Sequence, residues 1–249
     1  MLKPLCLAAL LATSPCARAD SALTPAESRW VGAGMPVVRH ALRAGLPVDI
    51  VVQPGDEPDA SPIAMGIKDG RCKLVLSLRG NPGAEALDRS LPPELFEAAA
   101  QAVFAHEIGH CWRYVQGAWK ALPAGFSVAG DEGADDASQG EAMAALARQR
   151  REMRETRREE GYADLVGLAW TRRVHQRQYR AVLDWLERFR DDGPAGAHHD
   201  TTRWLRLAGD PSVFSVGGDM FEEAEALWAI GVRAEAPHGP ETRGAPDRQ

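Results

Sequence analysis

The stretch His106-Glu107-Ile108-Gly109-His110 constrains this sequence most tightly, because it has the pattern H-E-x-x-H. Apolar residues around it recur at helical spacing, and Pro92-Pro93-Glu94 predicts the start of a helix that continues to about Gly117. Residues four apart lie one turn apart on the same helix face, so both imidazoles can reach one cation. Glu107 is then placed to hold and deprotonate a zinc-bound water. The alternative is two ordinary helix histidines, since such a pentapeptide also arises by chance.

A catalytic zinc site needs a third protein ligand and an open position for water. One arrangement extends the motif to H-E-x-x-H-x-x-G-x-x-H, but Arg113 and Gln116 occupy the last glycine and histidine positions here. The other arrangement uses a glutamate on a later helix, and Glu160 supplies it, with Asp164 one helical turn beyond. Asp164 is suited to accept the second ring proton of a ligating histidine, which fixes the tautomer. Glu159 is the rival ligand, although no aspartate follows it at the same spacing.

The H-E-I-G-H motif, followed by Glu160-Gly161-Tyr162-Ala163-Asp164, resembles the gluzincin peptidases. In particular it is similar to the branch of heat-shock membrane proteases, CaaX prenyl proteases and periplasmic chaperone-proteases, whose third ligand lies in an E-x-x-A-D type motif. The resemblance covers about residues 90–210. It implies an α+β, zincin-like fold, mainly helical, with a small mixed sheet beside the active-site helix. It also implies hydrolysis of peptide bonds with Glu107 as general base and Zn²⁺ as cofactor, held by His106, His110 and Glu160.

Members of that branch also carry a later H-P-x-T-x-x-R segment whose histidine faces the zinc. The stretch His199-Asp200-Thr201-Thr202-Arg203 matches it in part, with an aspartate in place of the proline and the arginine at a different offset. The resemblance therefore suggests His199 as a catalytic residue that stabilises the transition state, or as a fourth ligand that closes the resting site. His198 is an adjacent competitor, and a surface loop pair is the alternative for both histidines.

Three segments predict the small sheet. Val48 to Gln53 is a β-branched run, and residues 63–68 and 72–78 flank Asp69-Gly70, a pair that tolerates the positive φ of a tight turn. Apolar residues alternate in the last segment, at Leu74, Leu76 and Leu78. In the mechanism that the resemblance implies, a sheet-edge strand, here Cys72 to Leu78, would bind extended substrate by main-chain pairing.

Helices are predicted over most of the remaining chain. The first begins after Thr24 with a capping box and runs to about Ala44, with a break near Gly34-Met35-Pro36. Residues 79–91 and 121–140 are predicted to be loops. A long helix is expected over residues 142–179, with its Arg/Glu-rich part, 148–160, as a mostly solvated face. Further helices are expected at 184–190, 201–208 and 219–232.

The N-terminal residues have the composition of a secretory signal peptide. Lys3 is followed by the apolar run Leu5 to Ala12 and by Ala17-Arg18-Ala19, which predicts a signal peptide of residues 1–19. A lipoprotein anchor on Cys16 is the alternative. We expect a metallopeptidase domain over residues 20–233, periplasmic or secreted, and a disordered tail over residues 234–249.

Two cysteines, Cys72 and Cys111, remain after the predicted cleavage. A remaining pair tends to form a disulfide in an oxidising compartment, and two separate buried thiols are the alternative. In zincin folds the small sheet packs beside the active-site helix, so such a disulfide would join strand to helix.

The net charge and the apolar content of the chain indicate which classes of partner to expect. The chain has 249 residues and a net charge of −6, so no basic excess favours nucleic acid. No segment after the signal peptide is apolar enough to be an integral membrane span. The resemblance implies a polypeptide as the substrate. Two other functions stay open: a zinc-stabilised, non-catalytic exported chaperone or binding module, and a zinc amidase that acts on cell-wall material.

Overall fold

The computed structural model describes residues 22–55, 60–123, 126, 140–191, 197–215 and 217–235. The predicted signal peptide and most of the predicted tail lie outside these residues. The elements follow in the order α1 (Pro25–Arg43), β1 (Val48–Pro54), β2 (Ile63–Lys68), β3 (Arg71–Arg79), α2 (Pro82–Ser90), α3 (Phe96–Val115), α4 (Glu141–Val174), α5 (Tyr179–Asp191), α6 (Thr202–Leu207) and α7 (Met220–Arg233). This confirms the α+β class, mainly helical with a small mixed sheet.

The sheet has three strands in the order β1-β3-β2. β3 pairs with β1 in parallel and with β2 in antiparallel orientation. The predicted hairpin is confirmed: Asp69 and Gly70 connect β2 to β3 with φ angles of 54° and 69°, as a tight two-residue turn requires. The prediction that Cys72 to Leu78 lies at an edge is wrong, because β3 has a partner on each side. Among the described residues, β1 and β2 are the two edge strands.

Helix α1 is continuous, so the predicted break near Gly34-Met35-Pro36 is wrong. Its capping box is confirmed, with Thr24 and Glu27 each accepting the other's backbone N–H. Gly34 serves packing rather than a break: a Cβ there would lie 2.0 Å from the ring of Phe104, so only glycine lets α1 approach α3 this closely. Burial of that face outweighs the hydrogen bond that Pro36 removes.

Helix α2 occupies a region predicted to be a loop. The Asn81 side chain accepts hydrogen bonds from the backbone N–H groups of Gly83 and Ala84, and Pro82 takes the first helical position. Both residues are standard signals for a helix start, so the local sequence did contain the information.

Helices α3 and α4 form the centre of the molecule and run antiparallel. Ala102 lies against Gly167 near one end of the pair, and Arg113 pairs with Glu159 near the other. A Cβ at Gly167 would be 2.8 Å from the carbonyl oxygen of Ala102, so this glycine permits close approach of the two backbones. α4 ends at Val174, earlier than predicted, and its residues 158–160 are buried rather than part of a solvated face.

The disulfide Cys72–Cys111 joins β3 to α3 and lies in the core. Helices α5, α6 and α7 all contact α4 and complete the helical layer. Among the described residues, no helix has the length and apolarity needed to cross a bilayer.

Candidate metal centre

His106, His110 and Glu160 form a group that could hold a metal ion. The Nε2 atoms of the two histidines are 3.2 Å apart. A carboxylate oxygen of Glu160 lies 3.5 Å from Nε2 of His106, and the other oxygen lies 3.4 Å from Nε2 of His110. A tetrahedral ion with bonds of about 2.0–2.1 Å separates its ligand atoms by about 3.3–3.4 Å. The spacings are close to this value, with a different carboxylate oxygen facing each histidine, so the three side chains could hold a small cation.

The helix pair explains how these ligands meet. His106 and His110 lie one turn apart on α3, and Glu160 lies opposite them on the antiparallel α4. The three side chains are only 11–12% exposed, so the protein rather than solvent largely fixes their positions.

Asp164 orients the first histidine. Nδ1 of His106 lies 2.8 Å from Oδ1 of Asp164. A carboxylate only accepts hydrogen bonds, so Nδ1 carries the proton and Nε2 of a neutral His106 presents a lone pair to the cation position. Nδ1 of His110 is buried without such a partner among the described residues. The tautomer and ring orientation are therefore fixed by a hydrogen bond in His106 and not in His110.

Two residues that the sequence analysis missed also hold Asp164. Arg190 on α5 donates from Nε to Oδ2 at 3.0 Å and from Nη2 to Oδ1 at 2.7 Å. Thr201 donates its hydroxyl to Oδ2 at 2.6 Å. Burial raises the pKa of Asp164, but the charge of Arg190 and the hydrogen bond from His106 outweigh it and hold the pKa well below its usual range. Asp164 is thus a fixed anion behind His106.

Glu107 lines the same cleft as the metal-binding group and is buried. Burial raises its pKa above the usual value, and the nearby His106 and His110 offset only part of this rise. A carboxyl group with a raised pKa holds a proton more readily, as a group that must accept and return one requires.

The pKa shifts of Glu160 and His110 show which member of the metal-binding group carries the negative charge. Burial raises the pKa of Glu160, but hydrogen bonds from His110 and His199 outweigh burial and hold it well below its usual range. Burial lowers the pKa of His110, but the hydrogen bond and charge of Glu160 outweigh that effect and raise it overall. Glu160 is therefore the anion of the group.

The rival ligand Glu159 points away from the site. Its two carboxylate oxygens accept from Nε and Nη2 of Arg113 at 3.2 and 3.0 Å, and both side chains are buried. Oε1 also accepts the backbone N–H of Lys120 at 2.8 Å. Glu159 is fully used in this structural ion pair.

His199, rather than His198, lies at the site. Nδ1 of His199 is 3.0 Å from Oε2 of Glu160 and 3.2 Å from Nη1 of Arg190, while its side chain is 65% exposed. A single ring nitrogen either donates or accepts, so each tautomer forms only one of these hydrogen bonds. His199 therefore contacts a ligand from the solvent side without belonging to the three-residue group.

The site opens into a cleft of about 750 Å³. Val103, His106 and His110 line it from α3, and Thr156, Glu160 and Gly167 line it from α4. Residues 61–65, which include the start of β2, form a further wall, and α5 adds apolar side chains. The edge strand β2 therefore borders the same cleft as the metal-binding group.

Tyr162, which lies in the Glu160–Asp164 motif, and the remaining histidines of the described residues stand apart from the metal-binding group. Tyr162 is buried and donates its hydroxyl to the carbonyl of Phe221 at 3.3 Å, and the Nε2 atom of His175 contacts Gln101 at 3.0 Å. His238 lies outside the described residues. Most tryptophans are in the core, but Trp119 is 43% exposed and lines the cleft.

Comparison with known proteins gives no assignment: no protein-family model matches the chain, and no curated protein or solved structure matches it.

Proposed function

We propose that this protein is an exported zinc metallopeptidase with a zincin-like fold of the gluzincin type. The observation that carries the proposal is that His106, His110 and Glu160 could hold a small cation, with the carboxyl group of Glu107 in the same cleft. Two imidazoles and one carboxylate are a donor set that suits zinc, and three protein ligands leave a position for water or substrate. Export rests on the signal-peptide pattern of residues 1–19.

Zinc bound by these three side chains would lower the pKa of a water molecule and polarise the scissile carbonyl. Glu107 would take the proton from the attacking water at its carboxylate and deliver it to the leaving nitrogen. Asp164 would keep the Nδ1 proton on His106, and Arg190 would hold Asp164 in place. In this mechanism Glu107 moves the proton, while Asp164 and Arg190 hold His106 in position.

Substrate would bind along β2, because this edge strand borders the cleft. An extended peptide pairs with such an edge through its main chain, which gives affinity with little dependence on side chains. His199 is exposed beside Glu160, where it could donate a hydrogen bond to the oxyanion of the transition state.

The test is metal content and casein cleavage by the chain from residue 20 onward, purified beside Glu107→Gln. We expect about one zinc per chain in both proteins and cleavage by the unchanged protein alone. The substitution keeps the size of the side chain and removes its ability to accept a proton, so it separates chemistry from metal binding.

Other outcomes identify the alternatives. Bound zinc without cleavage of casein or of peptidoglycan fragments would favour a binding module, and cleavage of the fragments alone would favour a cell-wall amidase. A protein that binds no zinc would contradict the whole proposal.

A further inference from the structure

We propose that Trp119 is a specificity-determining residue that binds a bulky apolar side chain of an extended polypeptide. This inference rests on the proposed peptidase function. Trp119 is 43% exposed, lines the cleft and packs against the ring of His110, with 5.6 Å between ring centroids and 73° between ring planes. An exposed indole beside a candidate metal ligand presents apolar area where a substrate would lie.

The segment that carries Trp119, residues 117–121, is held at both ends. Arg113 donates from Nη2 to the carbonyl of Ala121 at 2.7 Å, and Ala118 donates its N–H to the carbonyl of Arg113 at 2.8 Å. The N–H of Lys120 donates to the buried Glu159. These contacts extend the Arg113–Glu159 ion pair into the segment.

The backbone beside Trp119 is also unusual. Lys120 has a φ of 59°, in the left-handed region that non-glycine residues seldom adopt, and Gly117 has a φ of 66°. The surrounding hydrogen bonds keep Lys120 in this conformation. The backbone that carries the indole is thus held in place before any substrate arrives, which lowers the entropy lost on binding.

Helix geometry gives the position of Trp119 along the cleft. Val103 and His110 both line the cleft from α3, and a rise of about 1.5 Å per residue separates them by roughly 10 Å. Thr156 lines the cleft one turn before Glu160, at the end of the helix pair where α3 terminates. Trp119 therefore lies at this end, and the metal-binding group lies between it and Val103.

An extended substrate advances about 3.3 Å per residue. Because Trp119 packs against His110 itself, it would meet a side chain within about two residues of the cleaved bond. The other cleft walls favour an apolar rather than a charged side chain, since Met65, Leu186 and Phe189 line them. The substrate side chain that contacts Trp119 would therefore be leucine or phenylalanine.

The experiment starts from a casein site that the zinc-loaded protein cleaves. Fluorogenic peptides around that site carry Ala, Leu, Phe or Lys at each of the three positions on either side of the cleaved bond. Each peptide is assayed with the unchanged protein, Trp119→Ala and Trp119→Phe. Tyr114→Ala is the matched control, because Tyr114 is an exposed aromatic residue on α3 outside the cleft lining.

We expect one position at which Leu or Phe raises kcat/KM about ten-fold over Ala, and loss of that preference in Trp119→Ala. Trp119→Phe should keep most of the preference, and Tyr114→Ala should keep all of it. Zinc content should stay at one per chain in every variant. A preference for Lys, an equal loss on all peptides, or loss of zinc in Trp119→Ala would overturn the inference.

A binding measurement separates this inference from the peptidase proposal. In the Glu107→Gln background, short casein-derived peptides with a central Leu or Phe should bind about ten-fold more weakly when Trp119 is also alanine, and the matching peptides with a central Ala should not. If Trp119-dependent binding occurs while the unchanged protein cleaves nothing, the peptidase proposal fails and the docking role of Trp119 stands. If cleavage occurs with no dependence on Trp119, only the inference fails.

Discussion

Arg190 donates two hydrogen bonds to the carboxylate of Asp164, at 3.0 and 2.7 Å, and links α5 to the helix that carries Glu160. Both side chains are buried, at 9% and 1% exposure. A bidentate pair fixes the plane of the carboxylate as well as its position. Because the same carboxylate accepts from His106, the guanidinium group indirectly sets the orientation of a candidate metal ligand.

Replacing Arg190 by alanine should destabilise the metal-free protein by about 3–5 kcal/mol, because Asp164 would remain buried without its countercharge. Urea denaturation in the presence of a chelator measures this loss. Arg180→Ala is the control on the same helix, since its pair with Asp184 is exposed and should contribute less than about 0.5 kcal/mol. Equal effects of the two substitutions would contradict the buried role of Arg190.

Asp164→Asn should weaken zinc binding about 10- to 100-fold, because the amide no longer fixes the proton on Nδ1 of His106. Competition with a chelating dye measures the affinity. Thr201→Ala removes one hydrogen bond to the same carboxylate and keeps its charge, so it should have a smaller effect. An unchanged zinc affinity in Asp164→Asn would show that His106 needs no such support.

The neighbouring residues Glu159 and Glu160 should respond differently to the same substitution. Glu160→Gln should lose zinc, because an amide replaces the anionic ligand. Glu159→Gln should retain zinc but lose about 1.5–3 kcal/mol of stability, because Arg113 would keep only the more exposed Glu225 as a charged partner. Metal analysis and denaturation of both variants distinguish the two residues. Loss of zinc in Glu159→Gln, with retention in Glu160→Gln, would reverse the assignment.

Removing the disulfide by Cys72→Ser and Cys111→Ser should cost about 4 kcal/mol, the loop-closure entropy expected for its sequence separation of 39 residues. Denaturation of this double variant, with the reduced unchanged protein beside it, measures the loss. Because Cys111 follows His110 on α3, zinc affinity should fall as well. A double variant as stable as the oxidised protein would indicate that packing alone joins β3 to α3.

Acid should weaken the contribution of Glu27. Burial raises its pKa, but hydrogen bonds from Arg79 and Thr24 outweigh burial and lower the pKa below the ordinary value of 4.5. A lowered folded-state pKa adds stability above the unfolded-state pKa, and this stability is lost as the pH falls through the folded-state value. The stability difference between the unchanged protein and Glu27→Gln should therefore be largest above pH 4.5 and shrink below it. Denaturation at a series of pH values checks this, with the exposed Glu85→Gln as control.

The sequence was most informative where short-range spacing has a direct structural meaning. The four-residue spacing of His106 and His110 predicts one helix face, and Asp69-Gly70 predicts a hairpin; the structure contains both. The region of helix α2 was predicted to be a loop, although Asn81 and Pro82 are standard signals for a helix start.

Contacts between residues far apart in the chain could not be predicted from local spacing. Arg190 reaches Asp164 only because α5 folds back along α4, and nothing in the spacing of the two residues indicates this contact. β3 is the central strand because β1 pairs with it in parallel. The hairpin signal at Asp69-Gly70 predicts only the pairing of β2 with β3. Gly34 suggested a helix break, although its missing side chain instead makes room for Phe104.

If zinc binds as proposed, the division of its three ligands between α3 and α4 would make metal supply a determinant of how much folded protein exists. An unfolded chain cannot bring Glu160 to the histidine pair, so an ion that needs all three ligands binds the native state almost exclusively. At a free zinc concentration of about 100 times the dissociation constant, such binding adds about 2.7 kcal/mol to the free energy of unfolding. Zinc-starved cells would then contain less of this protein through degradation of unfolded chains, with no change in its synthesis.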